Sequence, residues 1–159
     1  MIKLLRVDHR LLHGQVAFAW TSYLGADCIL VASDAVMTDQ IRKTTIKLCK
    51  PNGVKLVIKN IEDSIKAINS GVTDKYNLLI VVESIKDAAR LAENCSQVKS
   101  INLGGIKKKD NTTKWGNAVF VTDEEIEIVK EMVGNNIEVE IRQIPSESSV
   151  NVKKIISKK

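Results

Sequence analysis

Cysteine is scarce. Cys28, Cys49 and Cys95 are odd in number and far apart, with no CxxC pair, which argues against a disulfide framework or a zinc site and fits a reducing cytoplasm. No histidine neighbours any of them, so a thiol nucleophile is not expected, and Cys28 and Cys95 read as small packing residues. No apolar run approaches the roughly 18 residues of a membrane-spanning helix. The opening MIKLLRVDHR reaches charge after a few residues and has no small-residue cleavage site, so it is not expected to be a signal peptide. Work at a membrane would go through partners. Aromatics make up only 4% of the chain (Phe18, Trp20, Tyr23, Tyr76, Trp115 and Phe120), thin material for stacking bases. With no RNP or zinc-finger signature either, no nucleic-acid partner is expected. Also missing are GxxxxGK[ST], a GxGxxG after a strand, and a GxSxG nucleophile elbow.

What remains is the composition of one ordinary globular domain: 159 residues, 44% hydrophobic and 27% charged. A chain of this size buries roughly 70% of its unfolded surface and needs no staple. Lys and Arg outnumber Asp and Glu by 24 to 19, a net charge of +5, which favours an anionic partner. Val- and Ile-rich runs recur at 2–7, 28–32, 54–58, 78–82, 98–103, 118–121 and 137–141. The segments between several of them have helical spacing: Ile61, Ile65 and Ile68, then Ile85, Ala88, Ala89 and Ala92. Thr122 followed by Asp123, Glu124 and Glu125 marks an N-cap and acidic first turn, and Gly134 marks that helix's end.

This alternation predicts a single α/β domain over 1–159, a mostly parallel twisted sheet of six to seven strands with helices on both faces. The earlier runs read as buried on both faces. The run at 137–141 alternates Glu138, Glu140 and Arg142 with Val139 and Ile141, as an edge strand with one wet face would. After Pro145, Val150, Val152, Ile155 and Ile156 predict a short terminal helix ending in solvated lysines.

In open parallel sheets, ligands gather beyond the carboxyl ends of strands, which directs attention to the segment after the first run. It reads Asp8-His9-Arg10-Leu11-Leu12-His13-Gly14-Gln15 and holds both histidines of the chain, flanked by Arg6 and Arg10. A neutral imidazole can attack phosphorus near neutral pH, and arginine neutralises phosphoryl oxygens as charge builds. His13 is therefore the candidate nucleophile, Arg10 the clamp, and Asp8 the carboxylate that orients an imidazole. Gly14 permits close backbone approach, and a helix over 15–24 would aim N–H groups, Gln15's among them, at an anion. His9 is a second imidazole of open role. His9, His13 and Asp8 as metal ligands would require a helical segment, and two adjacent arginines repel a dication, so no metal is expected. Asn102, Gly104 and Gly105 end the 98–103 run at the same sheet edge, as an anion-binding backbone or a plain tight turn. Lys107, Lys108 and Lys109 follow, either as a solvated loop or as attraction for an acidic or phosphorylated partner.

The stretch Arg6-Val7-Asp8-His9-Arg10-Leu11-Leu12-His13-Gly14-Gln15-Val16, continued by Ala17-Phe18-Ala19-Trp20-Thr21, resembles the active-site segment of the IIB components of the mannose/fructose/sorbose-type phosphotransferase system. Asn102-Leu103-Gly104-Gly105 and the overall length extend that resemblance over essentially the whole chain. It implies a phosphocarrier peripherally associated with membrane components in the cytoplasm. His13 would take a phosphoryl group, on Nδ1, from a IIA phosphohistidine and give it to a sugar held by membrane IIC and IID components, with no cofactor. Arg10 and Asp8 match the family's loop arginine and aspartate, while His9 stands where the family varies. Two other chemistries fit the loop residues: a binding module that holds an anion without turning it over, and a small hydrolase or mutase with His13 and Asp8 as an acid–base pair.

Overall fold

The computed structural model describes residues 1–157. In chain order the elements are β1 (Ile2–Asp8), α1 (Gly14–Leu24), β2 (Cys28–Ala32), a 3₁₀ turn (Ala35–Thr38), α2 (Gln40–Leu48), β3 (Lys55–Lys59), α3 (Ile61–Ser70) and β4 (Leu78–Val82). Then come α4 (Ile85–Asn94), β5 (Ser100–Gly105), β6 (Thr113–Gly116), β7 (Val119–Val121), α5 (Asp123–Gly134), β8 (Glu138–Ile141), β9 (Val150–Asn151) and α6 (Val152–Ile156). Seven strands form one sheet in the order β3-β2-β4-β1-β5-β8-β9, parallel throughout except for β9. This is the expected α/β architecture, with β1 near its centre.

Strand alternation sorts side chains to two cores. Leu5, Val7, Leu30, Ile80, Ile101 and Leu103 face α3, α4, α5 and α6, whose Ile61, Ile68, Ile85, Ala88, Ile126, Val129 and Val152 pack against them. Leu4, Ile29, Val31, Leu79 and Val81 face α1 and α2 through Ala17, Trp20 and Ile46. Each fully buried Ile or Leu contributes on the order of 1.5–3 kcal/mol, so the helical spacing of these residues selects which face each helix lays down. Local signals set the helix ends. Thr122 and Glu125 form a reciprocal capping box at α5. At the other end of α1, Gly25 adopts φ 64°, and its N–H and that of Ala26 return to the carbonyls of Ser22 and Thr21.

Four expectations need correction. The 118–121 run is not in the main sheet: β7 pairs antiparallel with β6 as a separate hairpin, and its hydrogen bonds toward β5 reach only Ile106, one residue past that strand's end, as an isolated bridge. β8 is not the edge either. The chain turns back after Pro145 so that β9 covers it, placing Val150 in a strand and leaving α6 to start at Val152. The half-buried Glu140 on β8 therefore accepts from Asn102 and Ser149 rather than facing open water. The opposite edge is β3, which is half-exposed along its length rather than buried on both faces. The terminal Lys158 and Lys159, expected to end the last helix in solvent, lie outside the described residues.

Candidate functional site

From Leu4 onward the even-numbered residues of β1 point toward α1, and among them Arg6 and Asp8 interrupt an otherwise apolar surface. Register places Arg6 beside Asn102 of β5, and Asn102 beside Glu140 of β8, in one cross-strand row. Arg6 Nη1 donates to Asn102 Oδ1 at 2.7 Å and Nη2 to Asp8 Oδ2 at 3.1 Å. Asn102 Nδ2 in turn donates to Glu140 Oε2 and to the Arg142 carbonyl, each at 3.0 Å. Arg6, Asp8 and Asn102 are all essentially sealed from solvent. Burial pulls the Arg6 guanidinium below its ordinary value, and the Asp8 carboxylate opposes that shift. The Trp20 ring covers Arg6 with the guanidinium carbon 5.3 Å from its centroid, while its indole N–H donates to the Gln143 carbonyl at 3.1 Å.

The two glycines at the end of β5 give this row its space. A Cβ at Gly104 would overlap the Arg6 guanidinium, and one at Gly105 would come within 3.2 Å of Asp8 Oδ1. They lie in the strand rather than in a turn, and the Gly105 carbonyl accepts from the His9 N–H at 2.9 Å. Their lack of side chains seats an arginine and a carboxylate, which is a different use from the anion-binding backbone the Gly-Gly pair suggested. Asn102 likewise sits beneath the site and is too buried to meet a partner.

Asp8 organises the loop that follows it. Its Oδ1 accepts from the Arg10 N–H at 3.0 Å, and its carbonyl accepts from the Leu11 N–H at 2.8 Å. Its Oδ2, besides holding Arg6, lies 2.8 Å from His13 Nε2. Leu11 adopts φ 59° and Gly14 φ 38°, so the loop turns twice through the left-handed region while Leu11 and Leu12 plug into the core. His13 occupies the N-cap position of α1 but makes no side-chain cap, which leaves its ring to Asp8.

His13 opens on a cavity of about 170 Å³, lined also by Arg6, Asp8, His9, Arg10, Val16, Gly104, Gly105, Lys107, Lys108, Phe120 and Gln143, among others. Arg10 and His9 are exposed at its rim, and Lys108 lies over the Phe120 ring, 5.9 Å from its centroid. Loss of water contact is the leading influence pushing His9 below the ordinary imidazole value; Asp8 opposes it, while Arg10, His13 and Lys107 add to it. Gly14 and Gln15 are exposed at the start of α1 and are not among the lining residues. A larger groove of about 930 Å³ runs between α4 and α5 and contains neither histidine.

The structure thus brings Asp8, His9, Arg10, His13, Gly104, Gly105 and Lys107 to one cavity. Arg6 emerged from the sequence only as a flanking charge, although it carries the row beneath the site. Its legible signal was a charged residue inside a strand otherwise buried on both faces. Gln143 and Phe120 carried no such signal.

Residues 2–159 match the family model described as the PTS system sorbose subfamily IIB component. A probable phosphotransferase enzyme IIB component from Streptococcus pyogenes is 32% identical over 163 residues, covering 99% of this chain and all of that one. The mannose-specific EIIAB component of Escherichia coli K12 is also 32% identical, over 99% of this chain but 49% of its own length. The structure of the IIBSor domain of the sorbose permease from Klebsiella pneumoniae superposes with a TM-score of 0.92 at 23% identity, over 99% and 97% of the two chains, a likeness of fold. With residues 2–159 inside the family's bounds, the chain belongs to the sorbose subfamily of IIB components of the phosphotransferase system, phosphotransferases of sugar transport.

Proposed function

We propose that His13 is a phosphoryl carrier, accepting on Nδ1 from a phosphohistidine of a IIA partner and donating to a sugar bound by membrane IIC and IID components. The observation that carries this reading is the 2.8 Å contact between His13 Nε2 and Asp8 Oδ2. A ring nitrogen facing a carboxylate holds the proton, so Nδ1 keeps the lone pair. In the transfer, that lone pair forms a bond to phosphorus as the donor's N–P bond breaks and the donor imidazole takes back its electron pair. Positive charge developing on the His13 ring is met by Asp8 through Nε2–H. Arg10, at the cavity rim, neutralises phosphoryl oxygens, and the first N–H groups of α1 add a partial positive charge. In the second transfer a sugar hydroxyl oxygen displaces Nδ1 from phosphorus, and its proton passes to a base on the sugar-bearing component. This chemistry calls for no cofactor and no metal.

The relative named EIIAB has a further half outside the match, which supports a IIA protein as the donor. No helix among the described residues is long and apolar enough to cross a membrane; membership of the IIB family is what supports peripheral attachment to membrane components on the cytoplasmic side. Lys107 and Lys108 on the rim suit an acidic donor face.

The test is intact-mass analysis after incubation with phosphoenolpyruvate, the general phosphotransferase proteins and a IIA protein, comparing wild type with His9→Ala and His13→Ala. A single acid-labile, base-stable phosphoryl adduct that vanishes only in His13→Ala is expected. An unmodified wild-type protein in the presence of phosphorylated IIA would refute the carrier reading and favour an anion-binding module.

A further inference from the structure

The loop of residues 9–13 is tied down on two sides. On the inner side, Asp8 and Gly105 hold the backbone N–H groups of Arg10 and His9. On the outer side, Arg42 Nη2 donates to the His9 carbonyl at 3.2 Å. The same nitrogen lies 2.8 Å from Glu83 Oε2, with the two side chains 30% and 23% exposed. Glu83 Oε1 accepts from Ser33 Oγ at 2.7 Å, and that hydroxyl accepts from the Val36 N–H at 3.3 Å.

Three separate elements converge here. Arg42 stands in the first turn of α2, where the N-cap Asp39 accepts its backbone N–H at 3.0 Å. Glu83 follows β4 directly, and Ser33 follows β2. The guanidinium is therefore presented from the rigid sheet-and-helix frame, and its contact with the loop is the only side-chain hydrogen bond to the backbone of residues 9–13 from this side, among those described. Such a tether matters because the loop's own preferences oppose its path: a leucine at φ 59° persists only where surroundings over-determine it.

We infer that Arg42, held by Glu83, is a positioning residue for the transfer at His13: it fixes the loop from outside so that the imidazole stays on Asp8 with Nδ1 toward the cavity. Among the described contacts its guanidinium meets the His9 carbonyl and Glu83, not His13. The proposal rests on the carrier reading of His13, and its test separates the two.

Full-length wild type, Arg42→Ala, Arg42→Lys and Glu83→Gln would be compared by two measurements. Long-range ¹H–¹⁵N correlation at neutral pH reports which nitrogen of His13 carries the proton and needs no donor protein. The rate of phosphoryl acceptance against IIA concentration separates the maximal rate from half-saturation. In Arg42→Ala the Nε2–H tautomer should lose population, and the maximal rate should fall about tenfold or more with half-saturation unchanged, as misplacement of a reacting group does. Arg42→Lys restores a point charge without the planar fork and should recover part of both. Glu83→Gln keeps the shape of the pair while weakening it, and should move both readouts in the same direction by less. Wild-type tautomer and wild-type maximal rate in both Arg42→Ala and Glu83→Gln would overturn the inference. A wild type that never accepts phosphate would instead overturn the carrier reading, leaving the tautomer measurement to decide the positioning role.

Discussion

Asp8 satisfies three groups at once: the Arg6 guanidinium, the Arg10 N–H and the His13 ring. Removing it strands a buried cation, so Asp8→Ala should cost about 3–5 kcal/mol of unfolding free energy, the usual consequence of breaking one side of a buried ion pair. Urea denaturation measures this, and a cost below about 1 kcal/mol, the range of exposed pairs, would mean that Arg6 finds another partner. The glycines provide a second measure. Gly104→Ala should destabilise strongly because its Cβ meets the head of Arg6, which is itself fixed by Asn102 and Asp8. Gly105→Ala has 3.2 Å to Asp8 Oδ1 and needs a shift of only a few tenths of an ångström, so it should be the milder substitution by the same denaturation assay. Equal costs would show that Arg6 swings aside freely. At this scale the sequence was only partly legible. His13, Asp8 and Arg10 stand together in one short segment, so their proximity could be read directly. The partnership of Arg6 with Asn102 could not, because it depends on which two strands become neighbours and in what register.

Elements meet at the carboxyl edge of the sheet through side chains that serve two of them. Asp34, just after β2, accepts from the Ile61 N–H at the start of α3 and pairs with Arg90 of α4 at 3.1 Å. The Ile61 N–H, followed by Arg90, holds its carboxyl below the ordinary carboxylate value. The folded protein thus binds a proton here less readily than the unfolded chain. The stabilisation is present above the ordinary carboxylate range and is lost as pH falls through it toward the lowered folded value. The difference in urea midpoint between wild type and Asp34→Asn should therefore be largest near neutral pH and shrink between roughly pH 5 and pH 3; a difference that stays constant over that range would assign the effect to packing. Most elements were visible in advance, because isoleucine and alanine spacing in α3 and α4 and the capping signal at α5 are local properties. The errors fall where pairing decides. Three apolar residues at 119–121 look the same whether they join a parallel sheet or a hairpin, and an alternating strand at 138–141 shows no sign of the two-residue neighbour that covers it.

At the scale of the molecule, net charge and the rim of the cavity act together. If His13 is a phosphoryl carrier, a chain of charge +5 that presents Arg10, Lys107 and Lys108 around it would attract an acidic donor over distances comparable to the Debye length, about 10 Å at 0.1 M salt. Raising ionic strength should lower the second-order rate of phosphoryl acceptance while leaving the maximal rate at saturating donor unchanged. Lys107→Glu together with Lys108→Glu should flatten that dependence, and a salt response identical to wild type would remove the lysines from the encounter. The row under the site carries a further consequence. Besides Asp8, Arg6 takes partners from positions 96 and 136 residues further along the chain, Asn102 and the Arg142 carbonyl, and Trp20 is fastened to a carbonyl 123 residues away. A nascent chain that has not yet received β8 already contains His13 and Asp8, but it has neither the Arg142 carbonyl nor the Gln143 carbonyl that set Arg6 and Trp20 in place. The setting of His13 and Asp8 is therefore completed by residues that follow β8, and a chain halted before them would hold both side chains without the row that fixes Arg6 and Trp20 beneath them.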